Sequence, residues 1–392
     1  MRPEGEWTCK GCASPGVDLF LEVSGIPVNA NILHATRKDA LGAAKGDVAL
    51  GFCSECGHIQ NARYTPRPVE YTVEYENSLH FSPLFQDYAR SLAVGLIERH
   101  DLYNKEIVEI GSGKGDFLNL ICELGGNRGV GFDPTYIFER DENRDNDRVV
   151  FVNEKYSEKN APSVCDMLVC RHVLEHLSHP KEFMMMIRSV IGERRSMSVY
   201  LEVPNADYML RERKYWDIIY EHASYFTKAS VVSLLRACSF EVTELSESFD
   251  GQFISIEARP SAAVRSLPDA EAIDGIRAET AAFADRYRIK VVSWNSALRE
   301  IASNSARAVV WGGGSKGTTF LNILRTGGIE YVVDINPHKH GTFVPVSAQE
   351  IVGPGFLAEY RPEIIIVMNP VYIEEIWALV KDMGFKTRLL TA

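Results

Sequence analysis

Ile107-Val-Glu-Ile-Gly-Ser-Gly-Lys-Gly-Asp-Phe117 decides how the rest of the chain is read. Its apolar start suits a buried strand, its glycine-rich middle a tight turn, and its end the opening of a helix. Glycines at 111, 113 and 115 let the backbone approach a ligand, and the exposed N–H groups of the following helix favour an anion. The third glycine follows the second by two residues, where the dinucleotide fingerprint G-x-G-x-x-G has three. An acid, Glu109, lies two residues before the first glycine. Glu109, Gly111, Ser112, Gly113 and Gly115 thus suit a ligand carrying an ammonium, a carboxylate and a ribose better than one carrying a pyrophosphate. S-adenosylmethionine is such a ligand.

Downstream, Gly129-Val-Gly-Phe-Asp133 reads as a second strand ending in an acid. An acid there can accept hydrogen bonds from both ribose hydroxyls; the plainer alternative is a surface Asp before Pro134. Phe151 to Lys155 is a short third strand and Cys165 to Cys170 a fourth, followed by Arg171-His-Val-Leu-Glu-His176. His172-x-x-Glu175-His176 formally matches an inverted zinc-protease motif, yet no third ligand is apparent downstream. A helix start beside the ligand crevice accounts for it better, with His172 on the cofactor side. Ser198 to Asn205 is a fifth strand whose carboxyl end opens into a long loop, Ala206 to Phe226. Ligands of doubly wound sheets bind at those ends, so this loop, with Tyr215, Trp216, Tyr220, Glu221, His222, Ser224 and Tyr225, is where a substrate would lie. A helix over 227–238 and strands over 241–245 and 252–257 complete a seven-strand count.

The flanks carry their own signals. Cys9-Lys-Gly-Cys12 and Cys53-Ser-Glu-Cys56 supply two thiolate pairs, a tetrahedral set for a structural Zn²⁺ with no open position; two unrelated pairs are the alternative. The other four cysteines fall in apolar patterns that suit buried thiols, and a reducing cytoplasm fits both groups. The run from Tyr64 to Phe85 holds Tyr71, Tyr75, Glu76, Asn77, Ser78 and His80 without helical periodicity. It is either a lid over a polar substrate or a plain connector, and a helix over 85–99 follows it. Residues 260–305 read as a helical connector. Ala308 to Gly317 is then a strand and a true G-x-G-x-x-G (Gly312-Gly-Gly-Ser-Lys-Gly317), with Asp334 closing the next strand. By motif alone this unit either binds a nucleotide or only packs.

In bulk, 392 residues allow two or three domains, and 45% hydrophobic and 24% charged residues are ordinary for a globular protein. A formal charge of −11 argues against nucleic-acid or anionic-membrane binding. No cleavable signal and no membrane-spanning apolar run is expected. The expected units are 1–70, zinc-binding; 71–259, the aromatic segment and S-adenosylmethionine domain; and 260–392, the connector and a Rossmann-like domain. The oligomeric state is open, and a monomer is compatible with the sequence.

Taken in order, these motifs resemble the sugar C-methyltransferases that act on nucleotide-linked 4-keto-deoxyhexoses. The likeness rests on the two Cys pairs, on Val108 to Phe117, on Tyr220-Glu-His-Ala-Ser-Tyr-Phe226, and on Gly312 to Asn322 with Val333-Asp-Ile-Asn-Pro337. It implies a zinc-binding domain, a class I methyltransferase sheet and a Rossmann-like domain, with the sugar nucleotide in the cleft between them. It also implies that His222 is the general base. A carbon next to a ketone loses a proton if the enolate is stabilised, and an imidazole titrates near working pH. Tyr220 or Tyr75 can donate to the enolate oxygen, and Glu221 can orient the ring. The aromatic run does not resemble that of the dTDP-sugar enzymes, which leaves open whether the acceptor is that sugar or a sugar nucleotide at all; O- or N-methylation of another small polar scaffold is the alternative reaction. A non-catalytic binding protein and an NAD-dependent enzyme using the second glycine turn are the readings from other classes.

Overall fold

The computed structural model describes residues 7–66, 69, 74–138, 147–262, 270–324 and 327–392. Tyr71, the middle of the aromatic run, and residues 263–269 of the connector lie outside the described residues.

The strands β1 (Val17–Pro27), β2 (Lys45–Cys53) and β3 (Ile59–Asn61) form an antiparallel meander. After the helix Pro83–His100, whose first amides are capped by Ser82, the chain lays down five parallel strands. These are β4 (Glu106–Ile110), β5 (Arg128–Phe132), β6 (Val149–Val152), β7 (Met167–Arg171) and β8 (Ser198–Pro204). Helices cover both faces, so β4 and β7 are buried almost throughout and read as continuous apolar runs. β9 (Ser224–Tyr225) follows, then a hairpin of β10 (Phe240–Ser248) and β11 (Phe253–Pro260), whose β11 pairs antiparallel with β8.

The central sheet has the order β10-β11-β8-β7-β4-β5-β6, the seven strands expected. Its order reverses between β4 and β7, so the turns after these two strands flank the crevice where doubly wound folds bind ligands.

The helix Ala270–Ser303 leads to a second parallel sheet. Its strands are β12 (Ala308–Trp311), β13 (Ile329–Val333), β14 (Glu350–Val352), β15 (Ile364–Val367) and β16 (Arg388–Thr391), in the order β14-β13-β12-β15-β16. Here the order reverses between β12 and β15.

Two features tie the units together. β9 belongs to the N-terminal sheet, pairing Tyr225 with Ile59 and Ser224 with Gln60. The loop read as open between 206 and 226 is thus a short helix (Ala206–Arg211), a 3₁₀ turn (Tyr215–Asp217) and this strand. The N-terminal sheet, this segment, the long helix and one face of the last sheet also share a single apolar core. Leu50, Phe52, Trp216, Phe283, Trp294, Phe320 and Ile366 all belong to it.

Candidate active site

Two turns shape the cofactor crevice. After β4, Gly111 takes φ +73° and a Cβ there would stand 2.1 Å from Val173, while Gly113, at φ +57°, faces open space. Only glycine satisfies both demands. Asp133 buttresses the turn: one oxygen accepts the Gly113 N–H at 2.8 Å, and the other the Thr135 amide and hydroxyl at 2.6 Å each. Beneath it Glu109 is 2% exposed, with one carboxyl oxygen buried and unpartnered, as is the Ser112 hydroxyl. Burial pushes the Glu109 carboxyl up to about 8. A buried acceptor without a donor is costly, so an ammonium group would find a matched partner here. The donor set therefore fits S-adenosylmethionine.

Beside this crevice a large cleft opens between the carboxyl ends of the two parallel sheets. Its walls include His172, Glu175 and His176 after β7, and Gly312 to Gly317 after β12. Met368, Asn369 and Tyr372 come from the region after β15, His222 from the turn before β9, and Asn31 and Tyr75 from the N-terminal side. Phe249 and Phe253, stacked at 5.3 Å, form an aromatic wall.

The turn bearing His222 is locked by Tyr225. Its hydroxyl accepts the Ile219 N–H at 3.0 Å and donates to the Ile219 carbonyl at 2.9 Å. Burial and the neighbouring His176 lower the His222 imidazole to about 3, so it is neutral at physiological pH. Glu221 turns away from that ring. Its carboxyl accepts the Ala30 N–H at 2.9 Å and pairs with the Tyr75 hydroxyl, and burial lifts it to about 8. Tyr75 also accepts from Asn31 at 3.2 Å.

His172 departs from the standard backbone, with φ +53°. Such strain is held at functional sites by surrounding structure, and here its ring sits 3.0 Å from Glu202 and 3.6 Å from Glu175. Burial disfavours its charge, but those two carboxylates outweigh burial and raise it to about 9. Glu202 in turn accepts two Arg171 N–H groups on one carboxyl oxygen, at 2.9 and 3.0 Å.

The structure thus gathers Tyr75, His172 and His222 around one cleft, and Glu109, Gly111, Ser112, Gly113 and Asp133 around the crevice beside it. Tyr220 points elsewhere. Its hydroxyl meets Thr65 at 3.1 Å, and its ring fills the space where a Gly46 side chain would be. Glu175, Asn31, Phe249, Phe253 and Tyr372 were not singled out as site residues. Glu175 had a signal, its place in the His-x-x-Glu-His run. The others come together only through folding.

The four N-terminal thiols converge. Cys9 and Cys56 sulfurs are 3.6 Å apart, Cys12 and Cys53 are 3.7 Å apart, and all four lie within 4.8 Å of one another. Tetrahedral Zn–S bonds of ~2.3 Å require sulfurs roughly 3.8 Å apart. The geometry fits.

Residues 84–245 match a methyltransferase domain, and residues 253–387 a C-methyltransferase C-terminal domain. The chain is an S-adenosylmethionine-dependent methyltransferase. Along its length this methyltransferase is similar to the C-methyltransferase NovU of Streptomyces niveus, at 24% identity over 96% of this chain and 92% of the relative. Among solved structures it resembles the N,N-8-amino-8-demethyl-D-riboflavin dimethyltransferase RosA of Streptomyces davawensis. That pair is 19% identical with a TM-score of 0.39, covering 45% of this chain and 55% of RosA. It also resembles the 1,6-didemethyltoxoflavin-N1-methyltransferase of Burkholderia thailandensis. There the identity is 18% and the TM-score 0.36, over 46% of this chain and 81% of that one. Among the described residues no helix is long and apolar enough to cross a membrane.

Proposed function

We propose that this methyltransferase methylates a carbon next to a carbonyl, with His222 as the base, on a keto-sugar nucleotide or a similar small polar acceptor. One observation carries the reading: a neutral imidazole is fixed in the cleft between the two switch points, beside the cofactor crevice. Similarity to a C-methyltransferase over nearly the whole chain supports carbon as the methylated atom. The motif order shared with the sugar C-methyltransferases supports the acceptor class.

When bound, S-adenosylmethionine supplies an electrophilic methyl group. Glu109 is suited to its ammonium, the turn at 111–115 to its carboxylate, Asp133 to its ribose, and His172 to the crevice edge. In the cleft, the acceptor C–H bond breaks, its proton joins a His222 ring nitrogen, and the electron pair delocalises onto the carbonyl oxygen. Tyr75, which lines the cleft, turns its one hydroxyl proton from Glu221 to that oxygen as the charge develops. Glu221 serves this step by fixing Tyr75. The cleft orders the partners, which supplies much of the rate.

Deuterium exchange at the α-carbon tests this. With a thymidine diphosphate 4-keto-6-deoxyhexose and S-adenosylhomocysteine in D₂O, the wild type exchanges and His222→Ala does not. Turnover without exchange assigns the methyl to oxygen or nitrogen instead. The Cys9, Cys12, Cys53 and Cys56 cluster holds one structural Zn²⁺, read by metal analysis of the purified chain and lost in Cys53→Ser. Its assigned place is the cytoplasm, where those thiols stay reduced.

A further inference from the structure

The carboxylate that faces His222 is not its sequence neighbour. Glu175, 2% exposed, sits on the 3₁₀ turn Leu174–His176 that follows β7. Its Oε1 lies 3.6 Å from His172 Nδ1 and 3.9 Å from His176 Nε2. One carboxyl oxygen, one His176 nitrogen and one His222 nitrogen all lie within 4.8 Å of one another. Its Oε2 is buried without a hydrogen-bond partner, and the residue lines the cleft. One carboxylate therefore stands among three imidazoles.

His176 Nδ1 donates to the Glu221 carbonyl at 3.2 Å, and its Nε2 lies 3.9 Å from Glu175. His222 and His176 meet edge to face at 5.0 Å. His172 is already matched by Glu202, itself matched by Arg171. Lys316 acts on His222 from the second glycine turn and disfavours its charge. Tyr75 feels the charges of both Glu221 and Glu175. Burial works to raise the Glu175 carboxyl, but the three histidines outweigh it and hold it below the usual carboxylate range. It is an anion at working pH.

We propose that Glu175 is the positioning residue of the proton transfer: it holds the imidazolium formed when His222 takes the acceptor's proton. The proposal rests on the reading of His222 as the base. Glu175 itself stays ionised. An imidazole lowered by burial is a weak base unless the cation it becomes has a partner, and a buried anion a few ångströms away is such a partner.

The test uses the full-length protein and two readouts. Ring-nitrogen NMR titration of the histidines needs no acceptor. In Glu175→Gln the His172 midpoint, near 9 in the wild type, falls by about a unit or more, and Glu175→Asp restores most of it. Unmoved midpoints overturn the proposal. With the keto-hexose nucleotide as probe, Glu175→Gln lowers kcat roughly 10- to 100-fold with KM nearly unchanged, and it shifts the acid limb of the pH profile. Binding of S-adenosylhomocysteine stays as in the wild type. If His222→Ala abolishes α-exchange while Glu175→Gln leaves it intact, the base stands and this inference falls. If His222→Ala exchanges normally, the base assignment itself falls. A divalent cation bound to the wild type beyond the thiolate zinc, lost in Glu175→Gln and needed for turnover, would make the trio a metal site and overturn the proposal.

Discussion

The turns at Gly111–Gly115 and Gly312–Gly317 close onto their acids in the same way. Asp133 accepts the Gly113 N–H at 2.8 Å, and Asp334 accepts the Gly313 N–H at 2.8 Å. Each acid ends the second strand of its unit, and each turn lies at a point where strand order reverses. What surrounds them differs. Two residues before the first glycine stands Glu109 in one unit and Val310 in the other. The second oxygen of each accepts the amide two residues on, Thr135 or Asn336, but Asp334 is also paired with the buried Lys339 at 3.1 Å. Lys316, the residue best suited to a phosphate, is paired with Asp217 across the cleft. In the second turn the last glycine serves packing, since a Cβ on Gly317 would lie 2.0 Å from the Gly312 carbonyl oxygen. A glycine fingerprint thus reports that helix and strand approach closely. Whether the turn also takes a ligand depends on the acids and cations around it.

Substitutions at the two acids separate these roles. The largest effect falls on the second turn: Asp334→Ala leaves Lys339 buried and unpaired, which costs about 3–5 kcal/mol. Thermal unfolding should show this loss, while calorimetry shows S-adenosylhomocysteine affinity unchanged in the folded fraction. Asp133→Ala removes the acceptor proposed for the ribose and the one seen for Gly113, so affinity falls roughly 10- to 100-fold, as loss of a charge-assisted hydrogen bond predicts. An unchanged affinity would strip Asp133 of its ligand role and make the two turns equivalent.

A smaller effect is carried by pH. The Glu109 carboxyl is raised from 4.5 to about 8 in the fold, so the folded chain binds more protons than the unfolded one between those values. Without ligand, stability therefore falls as pH rises through that window. Glu221, raised to about 8 as well, adds to the slope. Glu109→Gln should remove only its own share in a series of melts from pH 5 to 8, and an unchanged slope would break the assignment. The smallest response is expected from NAD(H), which should leave the melting temperature where S-adenosylhomocysteine raises it.

Much of this was legible in the sequence. Strand periodicity and the glycine turns gave the seven-strand count and the second α/β unit, because parallel strands covered on both faces read as apolar runs. The thiol pairs gave the Cys cluster by spacing. What escaped is what depends on non-local contact. The two-residue β9 is too short to carry a pattern, and the Tyr220 ring is claimed by the gap at Gly46. Glu221 looked like the partner of His222 because it precedes it, yet adjacent residues point apart and the carboxylate near that ring comes from position 175.

β9 has a consequence for anyone exchanging modules among such enzymes. The residue proposed as base sits two positions ahead of a strand whose hydrogen-bonding neighbour is encoded more than 160 residues upstream, as the pairing of Tyr225 with Ile59 shows. A graft that moves the central sheet without residues 17–61 transplants His222 without its anchor. The transferable unit is discontinuous: the meander and the 206–226 segment form one cassette, and cut points chosen from the linear order alone divide it.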